Sequence, residues 1–381
     1  MPRSGITTAS YIRIIDLEQH QERELEEDDV NKSWIQPPTR DSPQRLPSCS
    51  FGRHMIFICC VAAAFLLGGF GGVFLTTRWS ASSESKGTPI TFTSCKKPAV
   101  RREWRSLSRS EKLEYIQAVQ CLRSKPSRLG LGHTLYDDFP YVHIHIGNDS
   151  HYTAAFLAWH RYFIHSYEGA LRKDCGYTGH VAYWDWSLDW EDITQASVWD
   201  AELGFGGNGN KSDDSKSIHG YCVTSGPFAN LEVPYVEKFS YPHCLSRDFA
   251  HGEDLACFSR ATSPSSIETL LQVEDYMAFV LGVEDGPHLS IPRAVHGDFS
   301  TITAPADPVF FLHHTQLDRL WWRWQQVYPQ RRLMEYSWKA TYTKDPQAAD
   351  LDDPIRVGGL APDVLVRDIM NTESDVLCYR Y

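Results

Sequence analysis

Histidines in two segments more than a hundred residues apart are the chain's main chemical signal. The first segment runs from His143-Ile144-His145 through His151 to Ala158-Trp159-His160-Arg161. The second opens at Gly286-Pro287-His288 and closes on Asp307-Pro308-Val309-Phe310-Phe311-Leu312-His313-His314, with Asp318 beyond. Imidazole is the usual ligand of copper, zinc and non-haem iron, and neither segment carries a cysteine. A site made of histidines alone, on apolar and Trp-rich helices, suits copper cycling between Cu(I) and Cu(II). A zinc hydrolase has no support, because no glutamate stands as in His-Glu-x-x-His.

Spacing sorts the histidines further. His151 and His160 are nine residues apart, too far to sit at successive turns of one helical face, so His151 is expected on a loop and His160 at the opening of a helix. His143 and His145 could both reach one metal from an extended segment. His165 is rotated off the face of His160 and reads as a core or surface histidine. On a helix, His314 and Asp318 share a face, whereas His313 is turned about 100° away and is not expected to be a ligand.

The stretches Phe156-Leu157-x-Trp159-His160-Arg161 and Asp307-Pro308-x-Phe310-Phe311-x-x-His314-x-x-x-Asp318 resemble the two end motifs of the tyrosinase and catechol oxidase family. The resemblance covers roughly residues 95 to 335. It implies two copper ions, the first on His143, His151 and His160, with His145 as the bland rival of His143. The second ion would take His288 and His314. Asp318 and Arg161 would support the ligands from behind. At Pro292 the family usually has a histidine; His296 is the nearest replacement and is taken as the sixth ligand. Asp149 stands where some relatives place a cysteine, so no thioether is expected there. Leu289 stands where relatives that hydroxylate monophenols often have Asn, leaving Glu284 or Asp285 to supply a base.

The implied activity is dioxygen-dependent oxidation of a phenol or catechol, as a small molecule or as a tyrosine in a peptide. The anchored form also resembles fungal tyrosinase-like proteins of ribosomal cyclic-peptide pathways of the ustiloxin and phomopsin type, which implies partner oxidases of the same pathway. Two alternatives are a degenerate accessory protein without a complete second copper site, and an oxygen carrier like the haemocyanins.

These histidines must be positioned by a chain of 381 residues with net charge -11 and no Lys/Arg-rich stripe, which argues against nucleic acid. Residues 1–54 are polar and read as a disordered N-terminal segment. Residues 55–77 hold no charged residue and read as a transmembrane helix, followed by a stalk at 78–94. The copper-binding domain is assigned to 95–335 and a tail packed on it to 336–381. The expected protein is single-pass, with its N-terminus cytosolic and its catalytic domain lumenal or extracellular. Seven cysteines follow the span, so some bridges are expected on an oxidising side. Asn148 and Asn210 head glycosylation sequons.

Helical patterning predicts helices from a capping box at Ser108-x-x-Glu111, over His160–Leu171, from Pro264 to Val280, and from Phe310 to Val327. Gly204 to Asp214 reads as an exposed loop, and the tail holds two short strand-like runs. The expected fold is mainly α: an antiparallel helical bundle holding a dinuclear copper site, with long loops, preceded by a single transmembrane helix.

Overall fold

The computed structural model describes residues 95–212, 217–340 and 347–381. The expected polar segment, membrane span and stalk lie outside the described residues. Among the described residues, no helix is long and apolar enough to cross a membrane.

The fold is predominantly helical. In chain order the main helices are α1 (Arg109–Leu122), α2 (Asp138–His145), α3 (Ala155–Cys175), α4 (Gly252–Thr262), α5 (Pro264–Leu271), α6 (Tyr276–Val283), α7 (Leu289–Val295) and α8 (Val309–Val327). Among the described residues, eight short strands pair two by two: β1 (Ala99–Val100) with β8 (Tyr379–Arg380), β2 (Tyr221–Cys222) with β5 (Ser246–Arg247), β3 (Glu232–Val236) with β4 (Phe239–Cys244), and β6 (Pro354–Ile355) with β7 (Val364–Leu365). Of these pairs, β1–β8 is parallel and the others antiparallel.

Local chemistry explains the helix ends. The Ser108 hydroxyl accepts from the Glu111 N–H, and the Glu111 carboxylate accepts from the Ser108 N–H, so the expected capping box starts α1. Ser263 caps α5 through the Ser266 N–H, with Pro264 at the first helical position. The single helix expected over Pro264–Val280 is in fact two. Gln272 ends α5, and Asp275 starts α6 by accepting from the Ala278 N–H. The left-handed Gly176 (φ 67°) closes α3. The loop expected to be exposed from Gly204 is anchored: Phe205 is buried, stacked on Phe228 and tilted against Trp104.

The core lies where α3 packs on α8 and on α1. Its centre is aromatic. Tyr167 and Phe311 stack face to face with centroids 3.5 Å apart, and Phe139 meets Phe163, Tyr167 and Phe311 edge-on. Burying rings of this size contributes most of the apolar driving force, and edge-on pairs add about 0.5–1.5 kcal/mol each. Disulfides Cys95–Cys378, Cys121–Cys175 and Cys222–Cys244 fasten the periphery.

The tail is stitched into this core by charge. Tyr379 and Tyr381 alternate along the end of the chain, so both phenols fall on one side and donate to Asp318 on α8. Arg101 lies over the Tyr379 ring at 3.5 Å and pairs with Glu168 of α3 at 2.9 Å. Arg161 pairs with Asp318 at 2.5 Å, lies over Trp321 at 3.6 Å, and donates to the carbonyls of Ile369 and Met370. All of these charged groups are buried, and each has opposite charge and hydrogen bonds around it, as buried charge requires.

Candidate metal centre

Five elements converge on one buried spot. α2 brings His143; the loop after it brings His151; α3 brings His160; and the turn before α7, with α8, brings His288 and the His313-His314 pair. All six are buried, none more than 8% exposed. The loop is held close by Gly147, where a Cβ would lie 2.6 Å from the Trp159 ring, so no other residue fits there without moving that ring. His160 lies in the second turn of α3, since the helix begins at Ala155, earlier than the sequence suggested. α2 also settles His143 against His145. The segment is helical, not extended, so residues two apart point about 200° from one another. His143 faces inward, whereas His145 is exposed, against Tyr141.

The first three imidazoles have matched hydrogen bonding. Nδ1 of His143 lies 2.8 Å from the Ile302 carbonyl, Nδ1 of His160 lies 2.8 Å from the Phe156 carbonyl, and Nδ1 of His151 lies 3.3 Å from the Asn148 carbonyl. A carbonyl only accepts, so each Nδ1 carries the proton and each Nε2 presents a lone pair. One ligand nitrogen from each of the three lies within 4.8 Å of the others. Nε2 of His143 and Nε2 of His160 are only 3.3 Å apart. Two lone pairs facing at that distance repel, and a shared cation would relieve the repulsion. Burial keeps the rings neutral: the pKa of His143 falls to about 3 and that of His151 to about 4, and His160 also lies well below its ordinary value. Neutral imidazoles with fixed tautomers and aligned lone pairs fit a metal ion.

The remaining imidazoles are arranged differently. His314 stacks on His160 at 4.4 Å and meets His288 edge-on at 5.2 Å. Nδ1 of His288 and Nδ1 of His314 are buried without a hydrogen-bond partner among the described residues. Burial again pushes both pKa values well down; the Glu284 carbonyl opposes the fall at His288 without closing a hydrogen bond of ordinary geometry to Nδ1. His313 is close, its ring parallel to that of His288 at 6.1 Å. The Trp186 indole N–H donates to its Nδ1 at 3.2 Å. Indole only donates, so Nδ1 of neutral His313 is the acceptor and Nε2 holds the proton, leaving no lone pair for a metal.

His296 stands apart from this group. It caps α7 with a positive φ of 57°, near Asp248 and Asp254, and makes no ring contact with the clustered histidines among the described residues. The backbone explains this: α7 stops at Val295, and Gly297 turns away against the Ser246 carbonyl. The expected sixth position therefore has no imidazole on it. Pro292, one turn beyond His288 on α7, is buried and offers no donor atom. Among the described residues, no second set of three His, Cys, Asp or Glu side chains gathers as the first set does.

The surroundings are apolar and charge-balanced. Phe156, Trp159 and Phe310 form ring contacts with the histidines. Arg161, next to His160 on α3, and Asp318, one helical turn past His314 on α8, are bonded to each other and to the tail and not to a histidine, so they act on the site by fixing the two helices. Of the two expected base candidates, Glu284 is buried with both oxygens on the Tyr152 N–H. Asp285 is exposed and accepts from the Tyr152 hydroxyl at 3.0 Å. His165 is half-buried and stacks on Tyr162, away from the centre. Sequence reasoning missed Trp186, Ile302, Arg101 and Glu168. The Tyr379-x-Tyr381 alternation was the one readable sign of the tail's role.

A helical core carrying inward-facing histidines on α2, α3 and α8 defines a class. The family model described as the common central domain of tyrosinase matches residues 133–327, and the chain belongs to the tyrosinase family. It is 45% identical to Tyrosinase ustQ of Aspergillus flavus over 297 residues, 77% of this chain and 82% of that protein. It is 44% identical to the tyrosinase-like protein phomQ1 of Diaporthe leptostromiformis over 304 residues, 75% of this chain and 78% of that one. Among solved structures, a single-site mutant of the polyphenol oxidase of Thermothelomyces thermophila superposes with a TM-score of 0.66 at 31% identity, covering 74% of this chain and 88% of that one. The chain is thus an oxidoreductase of a family that holds paired copper.

Proposed function

We propose that the chain oxidises a phenol or catechol with dioxygen at a copper centre held by His143, His151 and His160 on one side and His288 and His314 on the other. The observation that carries this reading is the 3.3 Å approach of two unprotonated Nε2 atoms, with a third ligand nitrogen alongside. Copper bound there supplies the redox chemistry, taking two electrons from a catechol to give a quinone or placing oxygen ortho to a phenol. The protein's own residues do the rest. The three Nδ1–carbonyl bonds fix the ligands before metal arrives. Phe156, Trp159 and Phe310 exclude water around them. Asp285, exposed beside Tyr152, is placed to take a proton from an arriving phenol.

The substrate proposed is a phenol, including tyrosine within a peptide, in secondary-metabolite biosynthesis alongside partner oxidases; similarity to ustQ and phomQ1 supports this direction. The apolar run 55–77 would make the protein single-pass, its N-terminus cytosolic and its domain lumenal or extracellular, with Asn210 on an exposed surface for a glycan. The test is anaerobic copper loading, then oxygen with tyrosine, a tyrosyl peptide and a catechol, followed by oxygen uptake and quinone absorbance. Copper-dependent uptake with at least one phenol is expected. Loaded protein that consumes no oxygen with any of them would contradict the reading. Pro292 favours a second reading, an accessory protein of weak activity, and that negative result would support it.

A further inference from the structure

The two halves of the centre differ in two ways. On the first side, three imidazoles converge; on the second, two do, because Pro292 stands one turn beyond His288 without a donor atom. The first three rings are each fixed by an Nδ1–carbonyl contact, whereas Nδ1 of His314 has no hydrogen-bond partner among the described residues and the ring of His288 has only the Glu284 carbonyl, outside ordinary hydrogen-bond geometry. The candidates for a substitute ligand are each occupied or misplaced. His313 accepts from Trp186 and so keeps its proton on Nε2; His296 lies past the end of α7; and the Glu284 carboxylate is directed at the Tyr152 N–H, which both its oxygens accept. Losing one of three ligands, and the outer contacts that orient the others, each weakens a metal site, the latter alone by roughly 10–100-fold.

We infer that the chain holds its two coppers unequally: one tightly on His143, His151 and His160, and one weakly and exchangeably on His288 and His314, with a coordination position open that relatives fill with histidine. This rests on the copper reading above. His288 and residue 292 sit four apart on one helical face, so a histidine at 292 has the spacing to complete the second set. Pro292 also has no N–H to bond, so replacing it removes no main-chain hydrogen bond.

The experiment uses the full-length chain, loaded with excess copper and passed over a desalting column with a mild chelator. Copper per chain is measured by mass spectrometry, and Cu(II) spins are counted by electron paramagnetic resonance. The wild type is expected to keep one copper, visible as one uncoupled spin, and to lose the other at chelator concentrations at least tenfold lower. Pro292→His is expected to keep two, with the spin signal falling as the paired ions couple. His288→Ala should still keep one copper, and His151→Ala none; these two carry the test should Pro292→His fail to fold. Alanine at His296 or His313 should change nothing. Two coppers of equal resistance and a silent spectrum in the wild type would overturn the inference while leaving the copper reading intact. No retained copper in any protein would overturn that reading and the inference with it.

Discussion

The first and second halves of the centre use the same residue type and the same burial, yet only the first is built as a rigid socket. His143, His151 and His160 come from a helix end, a loop and a helix interior, so they approach from different directions, and each is anchored through Nδ1 to the main chain. His288 and His314 sit in helical segments without such anchors of ordinary geometry, His288 having only the Glu284 carbonyl nearby, and the third position is a proline. Counting histidines near a motif therefore misjudges a site. What decides its quality is which ring nitrogen is left bare and whether the backbone already holds the other.

That contrast can be broken at several places. The largest effect is expected from His160→Ala, which removes a ring that meets both His288 and His314 of the other half: copper retention and phenol oxidation should both drop to background, measured on desalted protein. Next is the support shared by the two halves. Asp318→Ala strands the buried Arg161 and Arg101 and frees the tail phenols, which should cost about 3–5 kcal/mol. At about 2–4 °C per kcal/mol, a calorimetric melt should fall by roughly 6–20 °C, with the drop as large without copper as with it.

The metal-free protein should also lose stability in acid. Folded pKa values near 3 for His143 and His313 and near 4 for His151 lie below the ordinary 6.5. The unfolded chain therefore binds more protons throughout that window. Stability is complete above about pH 6.5 and falls as pH drops toward 4, by about 1.4 kcal/mol per pH unit for each proton of difference. Urea melts at pH 7 and pH 5 should show it, and an unchanged midpoint would mean that these rings are not buried neutral. The smallest effect belongs to Trp186→Phe. It releases Nδ1 of His313 without touching the first three rings, so copper retention should change by less than threefold; a larger gain would mean that the freed His313 ring joins the ligands.

Much of this arrangement was readable from residue order because the informative signals were local. The Ser108–Glu111 cap, the placing of His151 off a helix, and the shared face of His314 and Asp318 follow from spacing within one or two turns. What escaped was long-range. The Trp186–His313 bond spans 127 residues, and the Ile302 carbonyl anchors a ring 159 residues earlier. His296 was misplaced for a local reason that only coordinates expose: a residue of positive φ at the end of α7 turns the chain away. The split between α5 and α6 was missed because the apolar residues on either side were read as one helix, while the mostly polar Gln272-Val273-Glu274-Asp275 stretch ends one helix and caps the next.

The most direct test of the central claim is anomalous diffraction at the copper edge from crystals soaked in limiting copper. The account expects one strong peak between the Nε2 atoms of His143 and His160, beside His151, with a weak peak or none by His288 and His314. A strong peak away from the first three histidines, or no peak at all, would contradict it.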